Sequence, residues 1–398
     1  MKRNLKKVLK NQRGITLVAL VITIVILIIL ATVAINFAFG NNGLINRAED
    51  AKEYYANDTA YTEEALSNVE SYIDGIIGEN GEGSGAGTAM TVADLKPGEG
   101  EEVTILENTT PVTDELNNTI YIPGGFGIAK DSGTKVEEGI VIEDANGNQF
   151  VWVPVGEYKT TKGEKNNNLA RRSWGGKDTV QEPEEASGID TAVDTYFYAE
   201  DTTKYTSVAK DTIEAFKTSS TTKGGYYIGR YETGTENERT SKADPLTTPL
   251  VQANKNAYVY VTRDQAKAKS EGMYSENEFV KSELISSYAW DTALNFICQN
   301  NGNGYKLATT TDKSYGNINT SKKELTGAYA EDKYSNICDL LGNFYEWTTE
   351  NCSASIVPYV YRGGNYDGNN FYPAARISVS SDGSNKNLCF RTQLYIIK

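Results

Sequence analysis

Histidine is absent from all 398 residues of this chain. That gap excludes Ser-His-Asp and Cys-His nucleophile pairs, His general bases, and zinc, haem or iron held by imidazole. Any catalysis is left to carboxylates, Tyr, Lys or Cys. Cysteine is scarce too: Cys298, Cys338, Cys352 and Cys389 stand 40, 14 and 37 positions apart with no CxxC pair. This argues against a four-thiolate zinc or iron-sulfur site and against dithiol redox chemistry, and neither haem, copper nor a nucleotide is expected as a cofactor. Cations are outnumbered, with 39 Lys plus Arg against 53 Asp plus Glu and a net charge of -14. Such a chain is a poor partner for nucleic acid. What is present is 39% apolar residues, 10% aromatics and 26 Tyr, enough to bury a core, in a length that suggests about two domains.

From Gly14 to Asn46 no residue is charged. Within that run Ile15 to Phe39 would measure about 37 Å as a helix at about 1.5 Å per residue, which spans a hydrocarbon core of about 30 Å. Lys2, Arg3, Lys6, Lys7, Lys10 and Arg13 precede it. Six cations on one flank predict that this flank stays in the cytoplasm and the rest lies outside, as a membrane-anchored protein at the cell surface. A secretory signal peptide would have a shorter apolar region ending at small residues. After Gly40-Asn41-Asn42-Gly43, residues Leu44, Ala48, Ala51, Tyr55, Ala65, Val69, Tyr72, Ile73 and Ile76 recur at helical spacing, predicting a stalk over 44–77. It reads either as the continuation of the membrane helix or as a coiled coil. Gly78 to Gly87, GENGEGSGAG, reads as a flexible linker, and the linker is placed at 78–89.

The N-terminal pattern resembles the leader of type IV prepilins and pseudopilins: a basic leader, 1–14, ending in Gly14, then an apolar helix starting Ile15-Thr16-Leu17. The resemblance implies a prepilin peptidase as a partner, cleavage between Gly14 and Ile15, methylation of the new amine, and other pilins as neighbours. Removing six cations leaves 33 minus 53, or -20. The family's Glu at the fifth mature position is Ala19 here. That suits a filament tip or a singly anchored protein, because a buried charge without its partner costs several kcal/mol.

Beyond Met90 the character changes to short β-branched and aromatic runs at Thr119 to Ile122, Gly139 to Ile142, Phe150 to Val155, Tyr226 to Tyr231 and Ala257 to Val261, which predict strands. Helices are predicted at Arg263 to Ser270 and Ser286 to Asn300. The polar stretch from Gly156 to Gly224 reads as a surface excursion. The expected class is α+β: a long N-terminal transmembrane pilin-type helix over 15–77 and a domain of short strands and irregular loops over 90–398.

The order of blocks in that domain resembles the sulfatase-modifying-factor family, the formylglycine-generating-enzyme fold related to C-type lectins. The blocks are Phe150 to Gly156, Tyr227 to Thr233, Ala289 to Cys298, Gly304 to Thr309, Asp339 to Thr348, Arg362-Gly363-Gly364-Asn365-Tyr366, Ala374-Ala375-Arg376 and Phe390-Arg391. The oxygen-dependent members of that family hold copper with two thiolates after the RGG turn, where this chain has NYDGNNFYP, and others hold iron with His. Both ligand sets are missing from the sequence, so a non-enzymatic role is expected. The resemblance also implies a calcium site from Asp339, the carbonyls of Gly342 and Phe344, and Glu346, oxygen donors that suit Ca²⁺. The alternative is that Asp339 and Glu346 only hydrogen-bond the loop around a buried Trp347.

The four cysteines read in two ways. Outside the cell, disulfides pairing Cys298 with Cys389 and Cys338 with Cys352 are open, the first suggested by the resemblance; buried thiols are the other reading. The segment Asn365 to Asn387 is rich in Asn, Ser, Tyr and Asp. It falls where lectin-like relatives present their ligand-binding face, so Asn365, Tyr366, Asp367, Asn369, Asn370, Tyr372, Asp382 and Asn385 are the candidate ligand contacts. The overall expectation is a surface-displayed, pilin-like adhesion protein whose C-terminal domain binds an extracellular protein or glycan. The alternatives are a surface enzyme of the formylglycine-generating type and a scaffold pseudopilin of a secretion system.

Overall fold

The β-branched and aromatic runs of the C-terminal half pair into two main sheets. In this computed structural model the described residues are 90–186, 206–208, 210–352, 358–368, 371–380 and 383–398. The chain divides into two units, Met1–Gly87 and Thr88–Lys398, and the described residues all belong to the second. The larger sheet runs Val280–Leu284, Thr392–Ile396, Gly225–Gly229, Gln149–Pro154, Val141–Asp144, Phe126–Ile128, antiparallel throughout. Gly225–Gly229 and Thr392–Ile396 are buried along their whole length, as central strands covered on both faces must be. The smaller sheet orders Thr206–Val208, Tyr345–Cys352, Tyr359–Arg362 and Ile377–Val379, with Leu388–Phe390 parallel to Tyr345–Cys352. A single residue, Arg391, separates Leu388–Phe390 of one sheet from Thr392–Ile396 of the other.

Between the sheets lies the helix Ser287–Asn300, which packs against Gln149–Pro154 on one side and Tyr345–Cys352 on the other. The Ser286 side chain caps it by accepting from the Ala289 N–H, and twelve consecutive residues, Ser287 to Cys298, are buried. A helix apolar nearly all round is a core helix. Its one charged residue, Asp291, therefore requires partners.

The partners come from three places in the chain, 172–174, 362 and 376. Asp291 Oδ1 accepts from Arg362 Nη2 at 2.7 Å and from the Trp174 indole at 2.9 Å. Its Oδ2 accepts from Arg376 Nη2 and from the Arg172 backbone N–H. Arg376 also donates to Glu350 Oε1 at 2.8 Å, and Arg171 stands 3.8 Å from the same oxygen. Arg362 lies over the Trp290 ring, 4.3 Å from its centroid. Helix, smaller sheet and the Arg171–Ser173 strand are thus joined through ions that are all fully buried.

Several expectations need correction. Among the described residues the class is mostly β, not the expected α+β. Only five α-helices occur among the described residues, none longer than the 14 residues of Ser287–Asn300. None is long and apolar enough to cross a membrane. The expected leader with Gly14 and Ile15, the apolar segment 15–39, the stalk 44–77 and the linker 78–89 lie outside the described residues. The strand expected over Ala257 to Val261 shrinks to the pair Asn256–Ala257, and Tyr260 takes a left-handed backbone with φ 57°.

Residues 156–224 are also no mere surface excursion. They contain the hairpin Gly156–Thr160 and Gly163–Asn167, the pair Arg171–Ser173 and Glu184–Ala186, and the helix Lys210–Thr222. Asn167, Arg171, Arg172 and Trp174 are at most 2% exposed. Polar composition misleads here because these polar groups find partners inside the fold: Asn167 donates to the Pro154 carbonyl, the Trp174 indole to Asp291, and Arg171 pairs with Glu350.

Removing one member of such a network strands the others. Asp291→Asn is expected to cost about 3–5 kcal/mol of unfolding free energy by chemical denaturation. Burial alone would raise the Asp291 carboxyl, but Arg362 and Arg376 outweigh it and hold it at about 2, below the ordinary aspartate value of 3.8. Its stabilising contribution is present above about pH 4 and is lost as pH falls through about 2. Denaturation midpoints between those values should fall more steeply in the native chain than in Asp291→Asn.

Candidate functional site

A second buried ion pair sits where the chain changes sheets. Arg391 Nε and Nη2 donate to Glu346 Oε1 at 2.9 and 2.6 Å, Nη1 to the Gly229 carbonyl and Nη2 to the Cys338 carbonyl. The other oxygen of Glu346 accepts from the Trp290 indole at 3.1 Å. Around this pair lie three more buried acids, Glu232, Asp332 and Asp339. Burial, reinforced by Asp339, pushes the Glu232 and Asp332 carboxyls well up, and burial raises Asp339 to about 7 against the pull of Arg391.

These are the residues for which calcium is the expectation. Glu346 has both oxygens engaged, one by a guanidinium, and Asp339 Oδ2 accepts from the Gly327 N–H at 2.6 Å. Among the described residues no group of three or more Asp, Glu or Cys is arranged to hold a metal ion. The donor set as placed does not fit calcium, because a cation beside Glu346 would face Arg391. Trp347 is buried and its indole donates to the Val261 carbonyl at 3.0 Å. Excess chelator should leave the thermal midpoint where it was; a fall of several degrees would restore the calcium reading.

The same motif builds the floor of the candidate binding face. A Cβ on Gly342 would stand 2.7 Å from the backbone of Asn317, so only glycine lets the two segments touch there. Asn343, at φ 60°, then becomes a hub. Its Nδ2 donates to Glu232 Oε1 and the Glu324 carbonyl, while its Oδ1 accepts from Asn317 Nδ2 and the Glu324 N–H. Its backbone carbonyl receives the Tyr366 N–H. The loop 317–324 is thereby fixed from below, and in turn receives Asn365–Gly368: Asn319 N–H donates to the Asn365 carbonyl and Ser321 N–H to that of Tyr366.

Of the residues expected on the ligand-binding face, Asp367 and Asn385 are exposed. Asp367 Oδ2 accepts from Lys386 Nζ at 2.8 Å and Asn387 Nδ2 at 3.1 Å, which hold its carboxyl below the ordinary range. The Asn385 carbonyl accepts from the Tyr260 N–H. Asn365, Tyr366 and Tyr372 are instead buried. Tyr366 packs edge-on against Phe344, ring centroids 5.3 Å apart, in a small cluster with Ala257, Val259 and Cys389. Tyr372 donates to the Gly175 carbonyl at 2.9 Å. Asn369, Asn370 and Asp382 lie outside the described residues.

Buried polar atoms without hydrogen-bond partners gather beneath this face. Both amide atoms of Asn365, and Oδ1 of Asn319 and Asn387 and Oγ of Ser384, have none. Each such atom costs about 1–3 kcal/mol. Sequence reasoning missed Asn319, Asn317 and Asn343; the Asn and Gly density of 316–319 was the signal, since those residues tolerate left-handed backbone.

The expected disulfides are not formed. Cys298, Cys338, Cys352 and Cys389 are buried thiols. Burial pushes Cys298 and Cys389 up and Cys338 to about 12, so these three are poor nucleophiles at neutral pH.

No family model matches the chain, and no curated protein matches it. Similar solved structures include PvdO from Pseudomonas aeruginosa, at 11% identity and TM-score 0.35, covering 64% of this chain and 97% of that one. Another is Treponema denticola variable protein 1, at 10% identity and TM-score 0.31, covering 62% and 95%. The crystal structure of CarF matches at 13% identity and TM-score 0.32, covering 44% and 87%. Likenesses this slight assign no family. They carry no argument about fold, activity or ligand.

Proposed function

We propose that this protein is a non-catalytic binding protein whose C-terminal face, carried by Asp367, Gly368, Asn385 and Lys386, engages an extracellular protein or glycan. The observation that supports the reading most is a set of unpartnered buried amide and hydroxyl atoms on Asn319, Asn365, Ser384 and Asn387 beside that face, next to the loop 317–324 that Asn343 holds. Unsatisfied polar groups are tolerated where a function outweighs their cost. Rigid loops lower the entropy lost on binding. The four cysteines are buried, and Cys298, Cys338 and Cys389 have their ionisation suppressed. The location that goes with this reading is outside the cytoplasmic membrane, which protease shaving of intact cells tests.

The face itself is tested by probing the full-length chain against glycan and cell-surface protein arrays. The double variant Asp367→Ala/Asn385→Ala is expected to weaken capture at least about tenfold while leaving the thermal midpoint nearly unchanged, because an exposed ion pair contributes at most about 1 kcal/mol to folding. Capture that survives the double variant undiminished would place the binding surface elsewhere, and no capture on either array would remove the reading.

A further inference from the structure

A further cleft is lined by none of the residues assigned to that face. It encloses about 960 Å³, within the range of ligand-binding clefts. One wall is the helix Arg263–Gly272, which turns Asp264, Gln265, Ala268, Lys269 and Gly272 toward it. These positions share a helix face by their spacing. Leu246, Thr248 and Pro249 stand opposite, and Met273 to Asn277 close one end. Leu246 is 38% exposed, one of few large apolar side chains on the surface.

The charges of the cleft are distributed unevenly. Asp144 is consumed by its own turn: it accepts from Asn146 N–H, Asn148 N–H, Asn148 Nδ2 and the Tyr274 hydroxyl, all within 2.9 Å. That makes it a rigid floor. Asp264 opens the helix and Glu276 follows its end; both are exposed, and neither forms an ion pair among the described residues. Between the two acids the lining is Ala268, Met273 and Leu246 with a single ammonium, Lys269.

We propose that this cleft docks an extended peptide segment of a partner protein that carries two basic residues flanking aliphatic ones. The basic side chains meet Asp264 and Glu276, and the aliphatic ones cover Leu246, Ala268 and Met273. An acidic chain of net charge -14 favours the approach of such a segment.

The test uses the full-length chain and three capped peptides: Lys-Leu-Leu-Lys, Glu-Leu-Leu-Glu and Lys-Gly-Gly-Lys, with spermidine as a non-peptide cation. Saturable binding of Lys-Leu-Leu-Lys alone, weakening as sodium chloride rises from 50 to 300 mM, is the expected result. Asp264→Asn and Glu276→Gln should each weaken it about two- to fivefold, the scale of one exposed ion pair. The proposal is overturned if none of the peptides binds, if Glu-Leu-Leu-Glu or Lys-Gly-Gly-Lys binds equally, if spermidine binds as tightly, or if neither substitution changes the affinity.

Discussion

The fold depends on burying arginine guanidinium groups against carboxylates between its two sheets. Arg362, Arg376 and Arg391 are each at most 1% exposed, as are Asp291, Glu346 and Glu350. Each ion taken from water carries a penalty of several kcal/mol, recovered only with near-complete pairing. Here every guanidinium of the three reaches a carboxylate, and most reach a backbone carbonyl as well. Geometry this demanding admits few alternative packings. It gives the core specificity that apolar contacts alone would leave loose.

The position of Arg391 makes the point most directly. The chain leaves the smaller sheet at Phe390 and enters the larger at Thr392, so the residue between belongs to neither ladder. Its side chain ties Glu346 of the smaller sheet to the Gly229 carbonyl of the larger. Through Glu346 and Trp290 it also reaches the central helix. The neighbouring acids Glu232, Asp332 and Asp339 outnumber this one cation, and burial shifts all three toward the protonated form.

From this ionic core the candidate face is only a few bonds away. Glu232 holds Asn343, Asn343 holds the loop 317–324, and that loop carries Asn365–Gly368. The exposed turn is therefore a rigid extension of the core rather than a free loop. The cleft beside the helix Arg263–Gly272 is built differently, on a satisfied Asp turn, with its two unpaired acids left to solvent.

Much of the domain could be read from the chain alone. Alternating runs located the strands around Thr119, Phe150 and Tyr226, and periodicity located the helices beginning near Arg263 and Ser286, because both patterns record which side chains avoid water. The blocks that carried the family resemblance, with Asp291, Glu346, Arg362, Arg376 and Arg391, turned out to be the ion-pairing residues of the core. Missing histidine, read at the outset as a limit on catalysis, was likewise a property of the sequence. Tertiary structure alone decided that Arg171, Arg172 and Trp174 leave an apparently polar excursion for the interior, that the four cysteines remain thiols, and that Asn365, Tyr366 and Tyr372 lie beneath the face they were expected to form. The physical reason is common to all three: a polar or sulfur-bearing side chain takes its role from what stands opposite it, and residues from other elements of the chain supply that.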